Sequence, residues 1–328
     1  MQAFEHIVGL TAPLFILVML GYGLTRWAGW PKPVSDALTR FVFAVAIPAL
    51  LFRLMSDFSR LPRVDPRLLI AYFGSCFIVF LLGRFIALRV FRMDGVSQSV
   101  FALGGIFANN VLLGVPLAKI TLGEASIPVV SLVLVFNSLT LWTLVTISVE
   151  WARHRTMSWS GYMRAAAAVL TNPVVAGILT GAAWGLAALP LPSVVDVTLE
   201  LISQAAIPLS LIALGMGLAE YRINEGWRIS AAICALKLVA QPAIVYLLAR
   251  WLALPAPETQ AIVMLASLPV GANVYLMSRQ FNVLGGPVAA SLVISTALAA
   301  ATTPLILALA SASSRLSLRA TRQGGLWP

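Results

Sequence analysis

The chain has 328 residues, of which 60% are hydrophobic and only 10% charged, with a mean hydropathy of +0.93. A soluble domain carries about 25% charged residues, so a water-soluble globule is excluded. The formal charge of +10 comes from 22 Lys and Arg against 12 Asp and Glu, spread through the polar breaks between apolar runs. Bases so placed anchor helices at a lipid interface, and nucleic acid is not a predicted partner.

Cys76 and Cys234 each sit inside an apolar segment, so neither a disulfide framework nor a redox compartment can be read from them. His6 and His154 are the only histidines, which rules out a histidine-rich metal site. The opening run MQAFEHIVGLTAPLFILVMLGYGL lacks an early base and a small-residue cleavage signal, and reads as a first transmembrane helix.

A bilayer crossing needs about 20 mostly apolar residues. Ten segments meet that length: 7–26, 34–55, 67–89, 96–118, 126–149, 163–187, 197–218, 229–250, 259–280 and 286–309. The sequence therefore predicts an all-α polytopic membrane protein, a single transporter domain over 1–328 with ten transmembrane helices. Sliding the chain by about 160 residues aligns Thr11-Ala12-Pro13 with Thr171-Asn172-Pro173, and Ala46-Ile47-Pro48 with Ala206-Ile207-Pro208. Asn110-Val111 then falls near Asn273-Val274. Five spans per half reverse direction, so 7–149 and 163–309 are predicted to form two inverted five-helix repeats, a construction common in secondary transporters. Counting bases on alternate sides gives 12 against 9, which leans towards a cytoplasmic 150–163 connection and outward-facing termini.

The fourth span, FALGGIFANNVLLGVPLAKI, concentrates Asn109, Asn110, Gly114 and Pro116; the ninth, AIVMLASLPVGANVYLMSRQF, holds Pro269, Gly271 and Asn273. Glycine and proline weaken helices and asparagine bonds freed backbone groups, so both spans are predicted to break at mid-membrane. Broken backbone is tolerated there only against protein or a water-filled cavity. We therefore expect crossed helices 4 and 9 around one substrate site, their half-helix starts favouring an anion. The alternative is that these asparagines lock helix to helix.

Pro48, Pro208 and Pro242 are predicted to bend the helices flanking that crossing, while Pro13 and Pro173 read as structural. Lys237 lies well inside an apolar span with no evident carboxylate partner. It could attract a substrate anion or hold the broken helices through carbonyls, and the sequence leaves both roles open. No Ser-His-Asp set, carboxylate pair, phosphate loop or Cys/His metal spacing is present, so no catalytic residue, metal or cofactor is predicted and the chain does not read as an enzyme.

The runs FVFAVAIPALLF (41–52), FANNVLLGVPLA (107–118) and LPVGANVYLMSRQFN (268–282), with Lys237 and Gln241-Pro242, resemble the auxin efflux carrier family of permeases, including its bacterial malonate-transporter-like members. The resemblance implies a fold similar to bile-acid/sodium symporters and sodium/proton antiporters, with crossover residues at Asn110, Pro116, Pro269 and Asn273. It also implies outward-facing termini, a homodimer in a bacterial inner membrane, and carboxylate substrates such as malonate or an auxin-like acid. Sodium or proton coupling is left open, and the alternative function is a ligand-binding channel or receptor without alternating access.

Overall fold

Apolar runs of this density must satisfy their backbone internally, and every named element is a helix. The computed structural model describes residues 2–56, 65–154, 171, 173–221 and 226–323. In chain order they form α1 (Gln2–Arg26), α2 (Lys32–Phe41), α3 (Ile47–Ser56), α4 (Arg67–Arg89), α5 (Gly95–Gly104), α6 (Val115–Thr121) and α7 (Ile127–His154). There follow α8 (Pro173–Leu186), α9 (Ser193–Leu218), α10 (Trp227–Ala235), α11 (Gln241–Trp251), α12 (Ala256–Ser267), α13 (Ala272–Phe281) and α14 (Gly285–Gln323).

The expectation of ten transmembrane helices in two inverted repeats is corrected here. Among the described residues six helices are long and apolar enough to cross a membrane: Val8–Arg26, Lys32–Ser56, Arg67–Arg89, Ser193–Leu218, Trp227–Trp251 and Gly285–Leu309. Two shorter apolar helices, Asn110–Thr121 and Pro173–Leu186, fall below that length, as does the stretch Glu124–Asn137 that leads into α7. An apolar window of 20 residues counts as one span in the sequence even where the backbone leaves the helix inside it. The predicted fourth span divides into α5 and Asn110–Thr121, and the ninth into α12 and α13. At 1.5 Å per residue, pieces of 10 or 12 residues cover about half of a 30 Å hydrocarbon core. With six such helices among the described residues instead of five in each half, the argument for inversion has no footing. Residues 155–170, which hold most of the 150–163 connection and the start of the predicted span 163–187, and Asn172 of the aligned Thr171-Asn172-Pro173 lie outside the described residues.

Two sets of helices pack differently. α1 lies along α9, and α3 along α8, with α9 also touching α3. A Cβ added to Gly21 would strike the Ile212 backbone, and one at Gly215 the backbone of Val18 and Tyr22. Gly177 likewise faces the Pro48 backbone, where a Cβ would come within 2.7 Å of its carbonyl oxygen, and Gly181 faces Phe52. Glycine at these positions lets backbones meet directly, the usual way to gain contact where lipid removes the hydrophobic drive. Arg53 of α3 adds an ion pair to Asp196 of α9 at 2.7 Å.

The second set joins α4, α5, α10 to α12 and α14. α5 starts at an Asp94 cap whose carboxylate accepts from the Val96 and Ser97 backbones at 2.9 and 3.1 Å and from the Ser97 hydroxyl at 2.6 Å. Those bonds, led by the Ser97 hydroxyl, hold the Asp94 carboxyl below the usual range. Arg84 reaches from α4 to the Ser99 hydroxyl at 2.9 Å and also bonds the Ser148 hydroxyl of α7.

Three of the prolines share one local device. A π turn precedes each of Pro48, Pro116 and Pro242, over Val42–Ala46, Asn110–Gly114 and Leu236–Ala240. Proline cannot donate to the carbonyl four residues back, and its ring crowds that carbonyl. The residue before each proline donates five residues back instead, from Ile47 to Val42, Val115 to Asn110 and Gln241 to Leu236. Pro208 lies inside α9, and Pro13 inside α1, without such a turn assigned. Pro173 opens α8.

Candidate functional site

α5 stops at Gly104, α12 stops at Ser267, and the two interruptions meet. Leu268 is extended (φ −67°, ψ 155°), as the residue before Pro269 is biased to be. Ala108 and Val270 form an isolated antiparallel bridge. The Asn109 N–H donates to the Pro269 carbonyl at 3.0 Å, and the Gly271 N–H to the Phe107 carbonyl at 2.8 Å. A Cβ on Gly271 would stand 2.8 Å from the Ala108 oxygen, so this close approach requires glycine.

Backbone freed from a helix inside a membrane must find other partners. Gln241 donates through Nε2 to the Ile106 carbonyl at 3.1 Å, and Lys237 through Nζ to the Ala266 carbonyl at 2.5 Å. These two side chains stand one turn apart and serve one interrupted strand of chain each. From α14, the Thr303 hydroxyl donates to the Ser267 carbonyl at 3.0 Å, and the Ser295 hydroxyl accepts from the Val270 N–H at 3.0 Å.

Beyond the bridge the chain re-enters helix at Asn110 and at Ala272. Neither preceding residue, Asn109 or Gly271, caps its helix with a side chain. The first backbone N–H groups of a helix lack intrahelical acceptors and carry a partial positive charge. Both starts border a cavity of about 60 Å³. Asn109, Asn110, Asn137 and Asn273 line it together with Phe43 and Gly271, and among the described residues no charged side chain does.

Of the residues singled out in the sequence, Asn109, Asn110, Gly271 and Asn273 thus come together at one cavity. Gly114, Pro116, Pro269 and Lys237 do not line it. Gly114 lets Leu268 approach, since a Cβ there would lie 2.8 Å from the leucine methyl. Pro116 closes a π turn, and Pro269 accepts the bridge bond from Asn109. Lys237 is fully buried on its carbonyl. Of the helix-bending prolines, Pro48 packs on Gly177, Pro242 is buried in the first turn of α11, and Pro208 stays within α9.

Sequence reasoning missed Asn137, Tyr72, Ser295 and Thr303. Asn137 had a readable signal, an amide in the apolar run VVSLVLVFNSL. Tyr72, whose hydroxyl accepts from Asn110 Nδ2 at 3.3 Å, had none, because a tyrosine in an apolar helix is ordinary. No group of three or more His, Cys, Asp or Glu suited to a metal occurs among the described residues.

The class so defined is a multi-pass helical membrane protein whose helices break against each other around a small cavity that carries four asparagines. The comparisons place it further. The family model described as membrane transport protein matches residues 6–167 and 152–307, and the chain belongs to that family, the auxin efflux carrier permeases. As a member of a transporter family it is not an enzyme. It is 28% identical to a putative malonate transporter of Rhizobium meliloti, over 90% of this chain and 93% of that protein. Identity to auxin efflux carrier component 8 of Arabidopsis thaliana is 20%, over 84% and 90% of the two chains. An uncharacterized transporter of Methanocaldococcus jannaschii is 22% identical over 86% and 92%.

Proposed function

We propose that the protein is a carrier that moves a small carboxylate, malonate being the first candidate, by alternating access, with the cavity between the two breaks as its substrate site. The observation that carries this reading is that two half-helix starts without side-chain caps border one cavity that carries four asparagine amides and, among the described residues, no charged side chain. Such starts favour a carboxylate, and the amides supply directional hydrogen bonds to the substrate. In this reading Asn109, Asn110 and Asn273 contact substrate, while Gly114, Pro116, Pro269 and Gly271 keep the backbone open for it. Lys237 acts through the Ala266 carbonyl rather than by touching the anion. The name of the R. meliloti relative supports malonate, and that of the A. thaliana relative is compatible with a larger acid.

A bacterial inner-membrane location with both termini periplasmic, and a homodimer, belong to the same proposal. The family resemblance supports the orientation, and impermeant labelling of Ser158→Cys in intact cells checks it: weak labelling is expected.

The substrate site is tested by calorimetry on folded, monodisperse protein. A lost hydrogen bond to a charged partner costs about 1.5–3 kcal/mol, so Asn110→Ala and Asn273→Ala should each weaken malonate binding roughly ten- to a hundredfold. Unchanged affinity in both would leave those amides as packing groups. Saturable counterflow of labelled malonate in proteoliposomes is expected of a carrier, and its absence beside intact binding would instead indicate a channel or receptor.

A further inference from the structure

The same cavity makes a second chemical demand. Asn110 is 2% exposed and Asn137 3%, and both line it. The Oδ1 atom of each is buried without a hydrogen-bond partner. Asn110 turns its amide nitrogen to the Tyr72 hydroxyl, which leaves the oxygen as its free pole. Buried acceptors are satisfied in the great majority of cases, so two orphans on one cavity describe what a guest must bring.

The charge available to that guest is limited. A helix start is equivalent to about half a positive charge, and two starts border the cavity, so they match about one negative charge together. Lys237 adds no direct contact, because its Nζ donates to the Ala266 carbonyl and its side chain does not line the cavity. A second ionised carboxylate would face orphan oxygens with no cationic side chain among the described lining residues, an unfavourable burial of charge.

We infer that the site selects a monoanion that carries its own hydrogen-bond donor, the carboxylate lying at the two half-helix starts and the donor facing the side-chain oxygens of Asn110 and Asn137. This rests on the carboxylate reading above and narrows it. A dicarboxylic acid binds in its half-protonated form, so its passage carries a proton on the substrate itself. Asn137 becomes a specificity-determining residue that reads the donor.

The test compares malonate, malonamate and monomethyl malonate on the purified full-length protein by calorimetry, from mildly acidic to mildly alkaline pH. Malonamate is a permanent monoanion with an amide donor; the ester has the same charge and no donor. Malonate affinity should fall about tenfold for each pH unit above its second ionisation, while malonamate binds equally across the range. The ester should bind at least about tenfold more weakly than malonamate. Asn137→Leu should close the gap between amide and ester, and if that variant does not fold, the ligand series on the parent protein decides. Ester equal to amide, or malonate affinity that does not fall as pH rises, overturns the donor requirement while leaving the carboxylate reading in place. Failure of all three ligands to bind overturns the carboxylate reading, and this inference with it.

Discussion

The pair α1 and α9 and the meeting of α5 with α12 both depend on glycine, for opposite ends. At Gly21 and Gly215 two continuous helices press backbone to backbone, and apart from the interruptions at Pro13 and Pro208 their backbone groups can keep their helical partners. At Gly271 the helix has already ended, and the glycine admits a carbonyl from a second interrupted chain. The first arrangement resists change because any shift loses contact along a long seam. The second is held by single bonds from Gln241, Lys237, Thr303 and Ser295, each of which can be exchanged alone. A transporter needs both kinds of region, a seam that stays fixed and a centre that can rearrange.

Substitution at the seam should have the largest effect. Gly215→Leu forces its side chain into the Val18 and Tyr22 backbone, where no flexible neighbour can yield. Overpacking costs typically about 1–3 kcal/mol and more where backbone must move, so little monodisperse protein should survive detergent extraction and size-exclusion chromatography. A well-behaved Gly215→Leu protein would show that the two backbones are not in contact.

At the centre the effect should be smaller and functional. Gln241→Leu keeps the volume but leaves the Ile106 carbonyl without its partner, a loss of about 1–3 kcal/mol that thermal unfolding in detergent would report. The protein should still be recovered folded, with substrate binding reduced because the bridge at Ala108 and Val270 loosens. Wild-type unfolding and binding in this variant would remove Gln241 from the account of the break.

The smallest effect belongs to the rim. Asp94→Ala removes the α5 cap and should lower stability by about 0.5–2 kcal/mol. The Asp94 carboxyl is held below its ordinary range by Ser97, so its contribution is present above about pH 4 and is lost as pH falls through the lowered value. The gap in unfolding temperature between parent and variant should therefore narrow in acid. A gap that stays constant or widens would show that the charge is not what caps the helix.

The residues at the breaks were legible because glycine, proline and asparagine act locally. Leu268-Pro269 disfavours a helix whatever surrounds it, and Asn109-Asn110 after Gly104-Gly105 offers polar groups where the chain leaves one. The number of spanning helices was misread for the same reason in reverse. Hydropathy over a window registers composition, and composition does not change where α5 gives way to Asn110–Thr121 or α12 to α13. Lys237 shows the limit at a single residue: its depth in an apolar run marked it, but only its bond to Ala266 separated support of the backbone from contact with an anion.

The sequence by itself determined that this is a membrane protein of many helices, that two segments cannot remain helical throughout, and which amides stand beside those interruptions. Those are properties of short stretches, set by side-chain transfer to lipid and by the dihedral limits of glycine and proline. Only the tertiary structure decided that the two interruptions bond to each other, that Asn137 joins Asn110 at one cavity, and that Ser295 and Thr303 serve backbone groups on α12 and its exit. Those pairings join residues far apart in the chain, and no local preference encodes which distant hydroxyl will meet which orphaned carbonyl.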